Sequence, residues 1–173
     1  MFENFAIKAA LFRYGVQIES KNIPTGPNST PKPIANVPQR KEMNHQIFIS
    51  YSRKDKESVD LIKGILDEHK LPYWIDNDGI FSGENYKEVI VDAIEVTKVV
   101  IFVSSANSNA SINVIRELGY AVQQRKTIIP IMLDDAPYAK SIRLDIADID
   151  QIEFKEFETT KHRLISSLAF ALG

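Results

Sequence analysis

From His45 onward, short apolar runs alternate with segments whose apolar residues recur every three or four positions. Ile47-Phe48-Ile49 predicts a buried strand, and Tyr73-Trp74-Ile75 a second one behind Pro72. Between them, Val59, Ile62, Ile65 and Leu66 make one helical stripe. Tyr86, Val89, Ile90, Ala93 and Ile94 form the next helix face, at i, i+3, i+4, i+7 and i+8. Val99 to Val103 is a run of five apolar residues, as expected of a central parallel strand covered on both sides. Val114, Leu118, Ala121 and Val122 predict a further helix, and Ile128 to Leu133 a fourth strand. Pro130 lies inside that strand and predicts an edge-like or bulged position. A short run at Ile152–Phe154 reads as a fifth strand, and Leu164, Ile165, Leu168, Ala171 and Leu172 as the last helix. This alternation is that of a doubly wound α/β domain with a parallel sheet, spanning residues 44–173. Ligands of such domains bind at the carboxyl ends of the strands.

The first 43 residues read differently. Five of the eight prolines fall between Pro24 and Pro38, and residues 20–43 are expected to be an extended linker. Within residues 1–19, Phe2, Phe5, Ala6, Ala9 and Phe12 stand at helical spacing and could form a short amphipathic helix. The whole chain has 173 residues and a net charge of −2. Residues 1–44 carry six basic and three acidic side chains, whereas residues 45–173 carry fifteen basic and twenty acidic. An acidic domain is a poor holder of polyanions, so nucleic acid is not the expected partner. The absence of cysteine excludes disulfides and thiolate chemistry, and no apolar run reaches the ~20 residues of a membrane span. A cytoplasmic protein is expected.

Chemistry must then sit just after each strand. Ser50-Tyr51-Ser52-Arg53-Lys54-Asp55 follows the first strand, and Asp76-Asn77-Asp78-Gly79-Ile80-Phe81-Ser82-Gly83-Glu84 the second. Ser104-Ser105-Ala106-Asn107 follows the third and leads to Ser111 and the helix bearing Glu117. A phosphoacceptor receiver would need acidic residues where serines stand here. Neither GxGxxG nor GxxxxGK[ST] occurs, so a dinucleotide cofactor fold and a P-loop lack support. No GxSxG elbow is present. His45, His69 and His162 are scattered without metal-ligand spacing, so no metal is expected.

Taken together, Phe48-Ile49-Ser50-Tyr51-Ser52, Trp74-Ile75-Asp76, Gly83, Ser104…Asn107…Ser111…Glu117-Leu118 and Ile129-Pro130-Ile131 resemble a Toll/interleukin-receptor (TIR) domain of bacterial type. The resemblance runs from residue 45 to about residue 172. It implies a flavodoxin-like, five-stranded parallel sheet with helices on both faces, in agreement with the pattern above. It also implies one of two activities. Some TIR domains cleave the nicotinamide–ribose bond of NAD+, giving ADP-ribose or a cyclic variant; others act as noncatalytic adaptors through homotypic contacts. NAD+ is then a substrate, and no cofactor is expected. The settings implied are bacterial antiphage defence or a virulence factor delivered to host cells.

In catalytic members a glutamate lies on the helix after the third strand, and the matching position is Glu117. On a helical wheel it falls about 40° outside the buried arc of Val114, Leu118, Ala121 and Val122, on the shoulder of that stripe. A carboxylate there can face a cleft; position alone favours a solvated boundary glutamate, and the resemblance turns the reading to the catalytic one. The resemblance places Tyr51, Ser52 and Arg53 beside the ribose and phosphates, with Arg53 facing the pyrophosphate and Ser111 at the same rim. Lys54 and Lys87 are further candidates. Trp74 offers either core packing or a stacking face for a base. Many TIR domains carry a tryptophan four residues before the glutamate, where this chain has Asn113. Residues 77–85 match the BB loop, through which TIR domains assemble into oligomers. Its Asp78, Gly79, Ser82 and Gly83 are turn residues, and Ile80-Phe81 could dock on a neighbouring copy or close over the cleft.

Overall fold

The computed structural model describes residues 45–75 and 86–173. The N-terminal segment 1–19, the linker 20–43 and the loop 77–85, with Asp78, Gly79, Ile80, Phe81, Ser82 and Gly83, lie outside the described residues. Five strands make one sheet: β1 (Ile47–Ser50), β2 (Tyr73–Ile75), β3 (Val99–Ser104), β4 (Thr127–Met132) and β5 (Ile152–Glu153). All pair in parallel, in the order β2-β1-β3-β4-β5. Around them lie α1 (Lys56–Glu68), α2 (Tyr86–Val96), α3 (Ala106–Asn109), α4 (Ile112–Gln123), α5 (Arg143–Ile146) and α6 (Phe157–Leu172).

The two-residue repeat of the strands divides the core. Ile47, Ile49, Val99, Ile101 and Val103 pack with Ile62, Ile65 and Leu66 of α1 and with Leu164 and Leu168 of α6. Phe48, Val100 and Phe102 face the other way, onto Ala93 and Ile94 of α2 and Val114, Leu118 and Ala121 of α4. Both faces of β3 are therefore dry, which is why its sequence is uniformly apolar rather than alternating. The strand order reverses direction between β1 and β3. This switch point opens a crevice at their carboxyl ends.

Pro130 meets the edge-like alternative of its expectation and not the bulge. β4 is an interior strand with unbroken register against β3. Met132 directs its carbonyl to the N–H of Phe154 (2.9 Å), and residues two apart face the same side. The nitrogen of Pro130 therefore points toward β5, whose pairing begins only at Ile131 with Ile152. No ladder bond is lost, because the short neighbour does not reach that far. The fifth strand is one residue shorter than its sequence implied.

Just ahead of β1, His45 is buried and donates from Nε2 to the carbonyl of Ala93 in α2 at 3.0 Å. Burial lowers its pKa from the ordinary 6.5, outweighing the opposing effect of that hydrogen bond. The folded state thus prefers the neutral ring, and its contribution to stability is complete above pH 6.5. It is lost as pH falls from there through the depressed folded value, because the unfolded chain takes up the proton first. Urea midpoints measured between pH 7.5 and 5 should show a drop in wild type that His45→Gln flattens, since glutamine can keep the hydrogen bond without titrating.

Candidate functional site

The carboxyl end of β1 is the floor of the site. Ser50 is the last residue of that strand and is 1% exposed. It lies on the same face as Phe48, toward α4, and its hydroxyl donates to Oε2 of Glu117 at 2.6 Å. Glu117 is half-buried, as its place on the shoulder of the α4 stripe predicts. A carboxylate accepting so short a hydrogen bond from a buried hydroxyl is held in direction as well as position. Ser111, the N-cap of α4, accepts the N–H of Val114 and so sets where the helix begins, two turns before Glu117.

Glu117 borders two cavities. One, of about 240 Å³, is lined by Tyr51, Ser52, Arg53 and Lys54 from the β1 side and by Ser111, Asn113 and Glu117 from α4. The other, of about 580 Å³, runs between α2 and α4 past Ile90, Ile94 and Tyr120, with Lys87 and Arg116 on its rim. Asn113 and Glu117 belong to both. Together the cavities fall in the roughly 300–1,000 Å³ range of small-molecule sites. One offers polar groups and two cations; the other offers apolar walls. Glu117 is the carboxylate at their junction.

Of the residues singled out from the sequence around the cleft, Tyr51, Ser52, Arg53, Lys54, Ser111 and Glu117 come together at the smaller cavity, and Lys87 lines the larger one. Trp74 does not join them. Its ring stacks on Phe48 with centroids 5.0 Å apart and planes 14° apart, partly buried against the core on the α2 and α4 side, and it lines neither cavity. Among the described residues no group of three His, Asp or Glu side chains could hold a metal ion. None of their helices is long and apolar enough to cross a membrane.

Sequence reasoning missed the second layer. Asp55 accepts hydrogen bonds from Ser105 Oγ (2.6 Å), Asn107 Nδ2 (2.7 Å) and Ser108 Oγ (3.3 Å), joining the segment after β1 to the one after β3. Ser108 Oγ in turn accepts the backbone N–H of Ser52 at 3.0 Å. The polar run Ser104-Ser105-Ala106-Asn107-Ser108 directly after the most apolar strand was the available signal. Such a run has to bond to something at the edge of a dry core.

A parallel five-stranded α/β domain with a carboxylate-bearing cleft at its β1–β3 switch point belongs to the open α/β class, in which ligands bind at that crevice. Residues 47–165 match the sequence profile of the TIR domain, and the chain belongs to that family. No curated protein sequence matches it. Among solved structures it is similar to the TIR domain of the Toll-related receptor TRR-2 from Hydra magnipapillata. The TM-score is 0.61 at 16% identity, covering 72% of this chain and 98% of that one. The TIR domains of the activated Roq1 resistosome align with a TM-score of 0.56 at 13% identity, over 72% of this chain and 99% of theirs. A CMP N-glycosidase from Clostridium botulinum aligns at 0.53 and 20% identity, over 70% of this chain and 98% of its own. These likenesses establish the fold.

The bond between Ser50 and Glu117 makes a direct prediction. A double-mutant cycle of Ser50→Ala and Glu117→Ala, read by urea unfolding, should give a coupling of about 1.5 kcal/mol, as for a hydrogen bond to a charged group. A coupling near zero would mean that the two groups do not sense each other.

Proposed function

We propose that this TIR domain is an NAD+ glycohydrolase in which Glu117 is the catalytic carboxylate. The observation that carries the reading is the placement of Glu117, fixed by a buried serine hydroxyl, at the junction of a cation-rimmed cleft and an apolar one. In the reaction the bond from ribose C1′ to the nicotinamide nitrogen breaks, and its electron pair leaves with nicotinamide. The ring nitrogen loses its positive charge as it departs, so no general acid is needed. The ribosyl group passes through an oxocarbenium-like cation, as in glycoside hydrolysis. Glu117 stabilises that cation and holds the ribose hydroxyls by charge-assisted hydrogen bonds. Water then adds to C1′ and gives up a proton, yielding ADP-ribose; attack by a nucleophile within the substrate yields a cyclic product.

Arg53 and Lys54 stand where an anion would enter an otherwise acidic domain, and the pyrophosphate is assigned to them. The apolar walls between α2 and α4 suit a base. The CMP N-glycosidase with the same fold acts on an N-glycosidic linkage, as its name states, and the nicotinamide–ribose bond is of that class. Assembly with further TIR domains through residues 77–85 is part of the proposal, with activity rising as copies associate.

Nicotinamide release from NAD+ is measured with concentrated protein, with and without a crowding agent. Wild type should release nicotinamide, and Glu117→Ala should lose at least about a thousandfold of the rate, as when a principal electrostatic group is removed, while still unfolding cooperatively at a midpoint lowered only by the lost Ser50 bond. Equal rates, or no release under any assembly condition, would refute the reading in favour of an adaptor that works by contact alone.

A further inference from the structure

Asp55 occupies the N-cap of α1, where an aspartate ordinarily accepts the free N–H groups of the first helical turn. Here it makes no such bond. Its carboxylate is turned away from its own helix and bonds instead to Ser105, Asn107 and Ser108 beyond β3. Helix α1 forgoes that stabilising cap, so the carboxylate's position answers to another requirement.

That requirement lies one residue away. Arg53, Lys54 and Asp55 form a single 3-10 turn that runs directly into α1 at Lys56, and no side chain caps it. The turn is bolted at two points. At one end the N–H of Ser52 donates to Ser108 Oγ (3.0 Å). At the other, Asp55 donates its own N–H to the carbonyl of Ser52 (2.8 Å) and takes three side-chain bonds from the β3–α3 segment. Ser105 and Ser108 are 2% and 0% exposed, so both anchors belong to the core rather than to solvent. The β3–α3 segment is itself tied down: Ser105 caps α3 by accepting the N–H of Ser108, and Asp134 accepts that of Ala106.

We propose that Asp55 is a positioning residue that clamps the Arg53–Lys54 turn onto the β3–α3 segment, so that the two cations meet the diphosphate of a dinucleotide substrate in a fixed geometry. This rests on the NAD+ reading of the same cleft. Asp55 touches no substrate. It acts through the turn, so its loss weakens binding rather than the bond-breaking step at Glu117, which another element holds.

Asp55→Ser is the informative variant, because serine can cap α1 and spare the fold while being unable to reach all three anchors. Its KM for NAD+ should rise about tenfold with kcat within about threefold of wild type. Amide exchange at Ser52 should accelerate at least about tenfold, with exchange in β3 unchanged. Ser108→Ala, which removes the anchor of Ser52, should raise KM in the same direction, and Asp55→Asn should fall between wild type and Asp55→Ser. Unchanged KM and Ser52 exchange would overturn the proposal. A matching loss of β3 protection would also overturn it, because Asp55 would then be holding the fold. Should the wild-type chain not cleave NAD+, the catalytic reading fails separately. Calorimetric affinity for ADP-ribose then replaces KM, and an affinity that is absent, or the same in wild type and Asp55→Ser, overturns the clamp as well.

Discussion

A carboxylate at the mouth of a cleft keeps one direction only if something rigid holds it, and Ser50 does this for Glu117. The serine is the last residue of a strand whose preceding residues are fully buried, and its hydroxyl is shut away from water. In such surroundings a hydrogen bond is stronger than in solvent, and leaving either partner unbonded is correspondingly costly. The carboxylate is therefore anchored from below, while its place on the shoulder of α4 keeps it at the surface of both cavities. The position of α4 depends in turn on Val114, Leu118 and Ala121 packing against Phe48 and Phe102, so that core and site share the same strand faces.

The sheet was legible because its hydrophobic periods were unambiguous. β3 read as central from five apolar residues in a row, and the buried positions of α1 are the four that its helical stripe named. Pro130 was legible only in part, because the sequence shows which residue lacks an N–H but not which way that N–H would point. Direction depends on register against β5, a strand of two residues. The half-buried position of Glu117 beside the cleft was legible from helical geometry. Trp74 had two readings open, and its stack on Phe48 is a contact across neighbouring strands that no local pattern encodes. Asp55 escaped for a different reason: a lone aspartate at a helix start already has a sufficient local explanation, and only the structure shows that the explanation does not apply.

On the NAD+ reading proposed above, two features reconcile an acidic domain with an anionic substrate. Arg53 and Lys54 stand at the cleft mouth, and Lys87 and Arg116 at the rim of the adjoining cavity. Local placement of cations within a negative surround favours an anion that enters the cleft over long polyanions that would meet the surface as a whole. The polar bonding between the segments after β1 and β3 adds rigidity where the charge must be exact in position, since a displacement of about 1 Å can cost about a hundredfold in rate.

The central claim is that the hydroxyl of Ser50 serves the reaction by holding the carboxylate of Glu117. Its most direct test compares nicotinamide release by wild type, Ser50→Ala, Glu117→Gln and the double variant under identical assembly conditions. The account predicts a loss of about tenfold or more in kcat for Ser50→Ala in the wild-type background, and no further loss once Glu117 is replaced, because residues acting as a unit are not additive. Equal losses in both backgrounds would contradict it, as would a Ser50→Ala variant that cleaves NAD+ at the wild-type rate.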